Sequence, residues 1–191
     1  MSGEAGGRTS LRRFAAGAAG SRSGMIRELV NGAVSGTLAT AAMSTVMVAG
    51  EKAGLMRGQP PKHIVRGLLP GSERRPKKGE GVLGAVAHVG FGAASGALFG
   101  LLARKRRGRL PLGVGYALAI WVVSYAGWAP RLSALPPLAR DEPGRQGVMA
   151  VGHVVYGATL AFLLNRLDPG ESIAPAVPAE TRQMASQGAA S

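Results

Sequence analysis

Charged residues leave four long gaps in this chain. No Asp, Glu, Lys or Arg occurs in the 22 residues between Glu28 and Glu51, the 23 between Glu80 and Arg104, the 21 between Arg109 and Arg131, or the 20 between Arg145 and Arg166. At about 1.5 Å of rise per residue each gap makes a helix of roughly 30–35 Å, which matches a hydrocarbon core about 30 Å thick. Within the gaps Gly, Ala, Ser and Thr are mixed with Leu, Val, Met and Ile. No face carries the recurring charges that a helix on a soluble domain presents to water. The pattern predicts an all-α, integral membrane four-helix bundle over residues 25–167, with spans at about 29–50, 81–103, 110–130 and 146–165.

The flanks read differently. Residues 1–24 are basic and rich in Ala, Gly and Ser, and 168–191 are rich in Pro, Ala, Gln and Ser, so both are expected to be disordered tails. Arg22 and Arg27 precede the first apolar stretch, but it is too long and starts too late for a signal peptide, and Met25 is an alternative start. Arg12-Arg13-Phe14 partly matches a twin-arginine signal without the apolar core that should follow. In the first loop, Pro60-Pro61 opens and Pro70-Gly71 closes a segment with Ile64, Val65, Leu68 and Leu69 on one face and Lys62, His63 and Arg66 on the other. This predicts a short interfacial helix over 62–69.

Composition agrees with this picture and removes competing classes. Only 17% of residues are charged, where a soluble domain carries about 25%, and 46% are hydrophobic before the 30 glycines are added. A chain this apolar is neither a water-soluble domain nor a basic disordered one. The absence of cysteine excludes disulfides, thiolate nucleophiles, iron–sulfur clusters and thiolate zinc sites. A net charge of +13 would suggest nucleic acid if it lay on a folded surface, but the cations sit in loops. The expected partner is therefore a bilayer with anionic headgroups, and no nucleic acid. Arg104, Lys105, Arg106, Arg107 and Arg109 crowd a six-residue hairpin, which the positive-inside rule places in the cytoplasm, with both termini on that side of a plasma, or bacterial inner, membrane. Arg74, Arg75, Lys77 and Lys78 on the opposite side pull the other way.

An internal repeat is visible. Gly81 begins GVLGAVAHVGFGA and Gly147 begins GVMAVGHVVYGA, and upstream of each lie an Ala-Gly pair, Ala49-Gly50 or Ala126-Gly127, and a Pro-Pro pair, Pro60-Pro61 or Pro136-Pro137. Each half holds two spans, so the bundle is expected to consist of two helical hairpins in the same orientation, with the second and fourth spans parallel. Small residues recur every fourth position: Gly32, Gly36, Thr40 and Ser44; Gly84, His88, Gly92, Gly96 and Gly100; His153, Gly157, Ala161 and Asn165. Lipid supplies no hydrophobic drive between helices, so such rows indicate close helix packing, within the chain, in a homo-oligomer, or against another membrane protein. Tyr125 and Trp128 near one end of the third span have the character of an interfacial anchor.

The polar residues inside the spans are the functional candidates: His88, His153, Asn165 and Tyr156. Two histidines at one depth on parallel helices are compatible with hydrogen bonding to neighbouring helices, with a proton-responsive permeation role, or with axial ligation of a b-type haem. No carboxylate in the spans completes a metal site with them, and no other cofactor is expected. Ser35 and Ser95 stand in A-x-S-G stretches similar to the rhomboid protease motif, but its first glycine is alanine here. Ser95 and His88 share one helix about 10 Å apart at about 1.5 Å per residue, so only His153 could activate a serine. No catalytic residue is expected. Four small-residue spans, the Pro-Pro pair and G-H-V-x-Y-G in the last span resemble small bacterial inner-membrane proteins of unknown function of the YagU-like kind, over residues 28–166. That resemblance implies a bacterial plasma membrane and transfers no site residues. The expected function is a non-enzymatic accessory module, with a small transporter or proton-responsive unit as the alternative.

Overall fold

Helix is the only way for a single apolar segment to satisfy its own backbone in lipid, and every long gap between charges forms one. The computed structural model describes residues 4–58, 60–70, 77–104, 109–131, 136 and 140–167, with side chains from Ser21 onward except at 63 and 129. They form α1 (Glu4–Lys52), α2 (Pro60–Leu68), α3 (Glu80–Leu102), α4 (Arg109–Ala126), α5 (Trp128–Arg131) and α6 (Pro143–Leu167), with no strand among the described residues. Four of these helices, α1 from Ser21, α3, α4 and α6, are long and apolar enough to cross a membrane.

Two boundaries differ from those expected. Helix α1 begins at Glu4, inside the segment 1–24 that was expected as a tail. Extending a formed helix costs little once its nucleus exists, and the Ala and Arg of this segment favour helix where its glycines do not. The third span stops at Ala126 instead of running to 130, and α5 follows after Gly127. Pro130 has no N–H to donate to the carbonyl of Ala126, so the hydrogen-bond ladder of α4 cannot continue through that residue. The expected C-terminal tail, 168–191, lies outside the described residues. At the end of α1 the Gly54 amide donates to Glu51 O (3.1 Å) and the Leu55 amide to Gly50 O (3.0 Å). This Schellman closure needs a left-handed residue, and Gly54, at φ 73°, supplies it.

Small residues set the helix contacts. Gly32 faces Gly96 and Gly36 faces Gly92, so α1 and α3 run antiparallel with backbones in direct contact. Gly113 faces Gly157 and Ala161 in the same way, which makes α4 and α6 a second antiparallel hairpin. Gly50 against Val148 and Gly152 against Met43 bring α6 alongside α1. Because α3 and α6 are both antiparallel to α1, they are parallel to each other, as the two-hairpin expectation requires. The core between the helices contains Ala39, Met43, Met47, Phe99, Met149, Tyr156, Leu160 and Leu164. Outward, Ile26, Val30, Val34 and Leu38 form one exposed apolar stripe of α1, and Val82, Val86, Val123, Val151 and Phe162 are exposed on the other spans. An exterior more apolar than the small-residue interfaces suits hydrocarbon surroundings and not water.

The fourth side of the bundle is looser. Tyr116 of α4 reaches α3 by its side chain: its hydroxyl donates to Ser95 O (2.9 Å), and its ring lies 5.1 Å from that of Phe99. No glycine pair joins these two helices. Toward the α2 end of the bundle they enclose a cavity.

Candidate functional site

The cavity measures about 240 Å³. Met43 and Met47 of α1 and Met149 of α6 form its back wall, Ala87, His88 and Phe91 of α3 one side, and Ile120, Trp121 and Ser124 of α4 the other. Pro60, Pro61, Ile64 and Val65 of α2 lie across its end, and Trp128 stands at the rim. Ala87, Phe91 and Trp128 are exposed, so the opening lies between α3 and α4, toward the bundle's apolar outer surface. A second, smaller cavity of about 30 Å³ continues toward the hairpin end past Thr40, Ser95 and Tyr156.

His88 and His153 both line both cavities, so the two histidines of the repeat share one site. His153 donates from Nδ1 to the carbonyl of Met149 one turn back (2.7 Å), and its ring is tilted against Trp121 with centres 6.3 Å apart. The Tyr156 hydroxyl is buried and donates to Gly92 O across the bundle (2.8 Å). Asn165 is exposed at the end of α6 and takes no part in this group. Neither histidine is hydrogen-bonded to a serine among the described residues; Ser95 is instead 3.2 Å from the Tyr116 hydroxyl, and buried Ser35 Oγ has no partner. The nucleophile–base pair that a serine protease requires is not assembled.

Of the expected packing residues, Gly32, Gly36, Gly92, Gly96, Gly100, Gly157 and Ala161 are buried in helix–helix contacts. Gly84 is buried too, but its neighbours are the backbone of Pro61 and Lys62, so it seats α2 and not another span. Tyr125 departs from the anchor role: it is 2% exposed, and its hydroxyl donates to Asp141. Trp128 alone stands at the surface.

Two ionic clusters hold the cavity's end in place. In the first, Arg66 of α2 clamps the carboxylate of Glu80 with Nε at 2.7 Å and a terminal nitrogen at 2.5 Å. The Lys77 ammonium donates to the carbonyls of Arg66 (2.7 Å) and Leu69 (2.5 Å), which closes the C-terminus of α2. The hydrogen bond to Glu80, opposed by burial and assisted by Coulombic attraction, holds the Arg66 pKa above its ordinary value. In the second cluster, buried Asp141 accepts from Tyr125, from Arg145 Nη1 (2.8 Å) and from the Glu142 amide (2.8 Å). Sequence reading missed both clusters and Trp121. Glu80 and Arg145 mark the edges of charge-free windows, and that position was the available signal. Nothing in the sequence indicated their partners.

Among the described residues no three His, Asp or Glu side chains come together as metal ligands. Four helices long enough to span a bilayer, an apolar exterior and a half-open cavity between two of them characterise a multi-pass membrane protein of unknown activity. The chain belongs to DUF6789, a family of unknown function, whose model matches residues 26–174. No curated protein and no solved structure matches it. The family match agrees with an uncharacterised family and adds no link to the YagU-like proteins.

Proposed function

We propose that this protein is a non-enzymatic membrane module that binds one small lipid-soluble molecule in the cavity between α3 and α4. The observation that carries this reading is the cavity's construction: walls of Met, Ile, Val and aromatic side chains, two histidines inside, and an opening on the apolar outer surface. Ligand pockets have this composition, with a few polar groups on apolar walls, and sit between helices of bundles. An apolar void of about 150 Å³ takes up benzene, so this space holds one substituted ring. A ligand entering between α3 and α4 arrives from the bilayer, the solvent in which such molecules concentrate. The cation-rich hairpin argues for a bacterial inner membrane with both termini cytoplasmic, and the loop cations for contact with anionic headgroups.

The test is saturable quenching of tryptophan fluorescence by bromobenzene in the protein reconstituted into nanodiscs. Ser124→Phe, which fills the cavity from α4, is expected to abolish saturation. Quenching that rises linearly in both proteins would reduce the effect to lipid partitioning and end this reading. A Soret band in the purified protein would end it as well, by assigning the histidines to haem.

A second reading has its own observation. His88, His153, Tyr156, Ser95 and Thr40 surround the smaller cavity, and Tyr116 bonds to Ser95 beyond it, a run of polar groups through an apolar bundle. Such a run suits a proton-responsive unit. That reading requires pH-dependent proton flux in liposomes that vanishes in the His88→Ala, His153→Ala double variant.

A further inference from the structure

The histidine pair has a thioether beside it. Around the smaller cavity, about 30 Å³, His88, His153 and Met43 carry the ligand atoms that no hydrogen bond occupies. Every other polar group there has its hydrogen committed. The Thr40 hydroxyl donates to Gly36 O (2.7 Å) and the Tyr156 hydroxyl to Gly92 O (2.8 Å). Tyr116 gives its hydrogen to Ser95 O, so Ser95 Oγ is the donor in its 3.2 Å contact with the Tyr116 hydroxyl. Phe91, Gly92 and Ile120 complete the wall and bring no side-chain heteroatom. His153 is held as metal-bound histidines are: Nδ1 donates to the Met149 carbonyl, which leaves the lone pair on Nε2. His88 makes no hydrogen bond among the described residues and offers a nitrogen in either tautomer. Neither His153 Nε2 nor a ring nitrogen of His88 is among the buried atoms shut off without a partner, so each keeps accessible surface. Met43 is 4% exposed and lines both cavities. A Cβ at Gly152 would meet its Cγ (3.3 Å) and Cε (3.6 Å) but not its sulfur, which is turned away from α6 at that point.

Two imidazoles and a thioether form a neutral donor set with one soft member. Calcium and magnesium take oxygen ligands, and zinc takes thiolates, imidazoles and carboxylates. A thioether selects Cu(I). A neutral shell also limits the buried charge to that of one monovalent ion, where charge is costly. A space of about 30 Å³ holds an ion stripped of its water and not a hydrated one. The expectation of no metal counted carboxylates and thiolates, and thioethers fall outside both. We propose that His88, His153 and Met43 form a three-coordinate Cu(I) site in the smaller cavity, entered through the larger one, whose wall the same three residues share. The site is independent of the lipid-soluble ligand, which occupies the larger cavity.

The experiment titrates the full chain in nanodiscs with Cu(I), under ascorbate and without oxygen, in competition with bathocuproine disulfonate, with protein-free nanodiscs as the blank. One Cu(I) per chain is expected, and excess Zn(II) should not displace it. Met43→Leu, similar in volume, should weaken binding by at least about tenfold, since loss of an outer-shell partner alone costs about 10–100-fold. Met47→Leu, one turn on and lining only the larger cavity, should leave it unchanged. Copper X-ray absorption of the unaltered protein covers the case in which the variants do not fold. Its first shell should contain sulfur beside nitrogen, and in a chain without cysteine that sulfur is methionine. A shell of nitrogen and oxygen alone, displacement by Zn(II), equal loss in Met43→Leu and Met47→Leu, or no copper retained beyond the blank would each overturn the site. None of these outcomes bears on bromobenzene quenching, so the ligand-binding reading stands or falls separately.

Discussion

A glycine in a span is informative only together with what a side chain there would touch. At Gly96 a Cβ would run into the backbone of Gly32 and Gly36, which cannot give way without separating α1 from α3. At Gly90 and Gly115 nothing lies within contact distance. Overpacking costs about 1–3 kcal/mol even where side chains can yield, and here the neighbour is backbone, so Gly96→Leu is expected at or above that range. Thermal denaturation in detergent, followed by size exclusion, should show early loss of the monodisperse species for Gly96→Leu. Gly90→Ala should be neutral or gain up to about 1 kcal/mol from helix propensity. An unchanged Gly96→Leu midpoint would remove the close-contact account of the α1–α3 interface. The four-residue rows made these contacts legible in the sequence, because period and residue size together imply a face. They did not say which neighbour each face meets: Gly84 belongs to the same row as Gly92 and Gly96, yet it receives α2.

At the scale of elements, α2 owes its position to few contacts. Gly84 lets the backbone of Pro61 and Lys62 approach α3, Val65 is buried, and Arg66 and Lys77 tie the helix to the start of α3. Its existence was legible, since Pro-Pro, an amphipathic octet and Pro-Gly bound it in sequence. Its ion pair was not, because Arg66 and Glu80 are fourteen residues apart with no periodic relation. The break after Ala126 was also hidden, since an uncharged window does not say where inside it the helix ends. Arg66→Met is expected to release α2 and speed protease cleavage of the 70–79 segment severalfold, leaving the four spans intact. The sign of the pH dependence follows from Arg66. A cation whose pKa is raised by folding contributes fully below its unfolded value and loses that contribution only as pH rises through the folded one. Both lie far into the alkaline range, so cleavage of the unaltered protein should be flat from pH 7 to 10, and a steep rise across that interval would show that another group holds α2.

Over the whole molecule, the two hairpins share a register that the cavity then breaks. Gly36 and Gly113 each stand fourteen residues before the glycine of their Ala-Gly pair, and Gly92 and Gly157 each stand four residues after a histidine. Gly36 meets Gly92 and Gly113 meets Gly157, so corresponding residues make corresponding contacts. If the hairpins also met each other symmetrically, α4 would lie against α3 as α1 lies against α6. Instead α1 and α6 close on Gly50 and Gly152, whereas α3 and α4 are bridged by Tyr116 and part around Trp121. Sequence similarity between the halves could suggest the pairing but not this departure, which depends on which bulky residues fall at one interface. The same arrangement puts Arg104 and Arg109 at one end of the bundle and α2, Glu80 and Arg145 at the other. Lys and Arg totals for the two ends, 12 and 11, do not orient it, so the proposed topology rests on the density within the short hairpin, because positive-inside bias acts through short loops beside spans. A chain without cysteine permits a clean test with single cysteines and a membrane-impermeant maleimide on intact cells. Lys78→Cys should label from outside, and Arg106→Cys only after permeabilisation. The reverse pattern would place α2 and the cavity's end in the cytoplasm, and equal labelling of both sites in intact cells would mean that the chain inserts in both orientations.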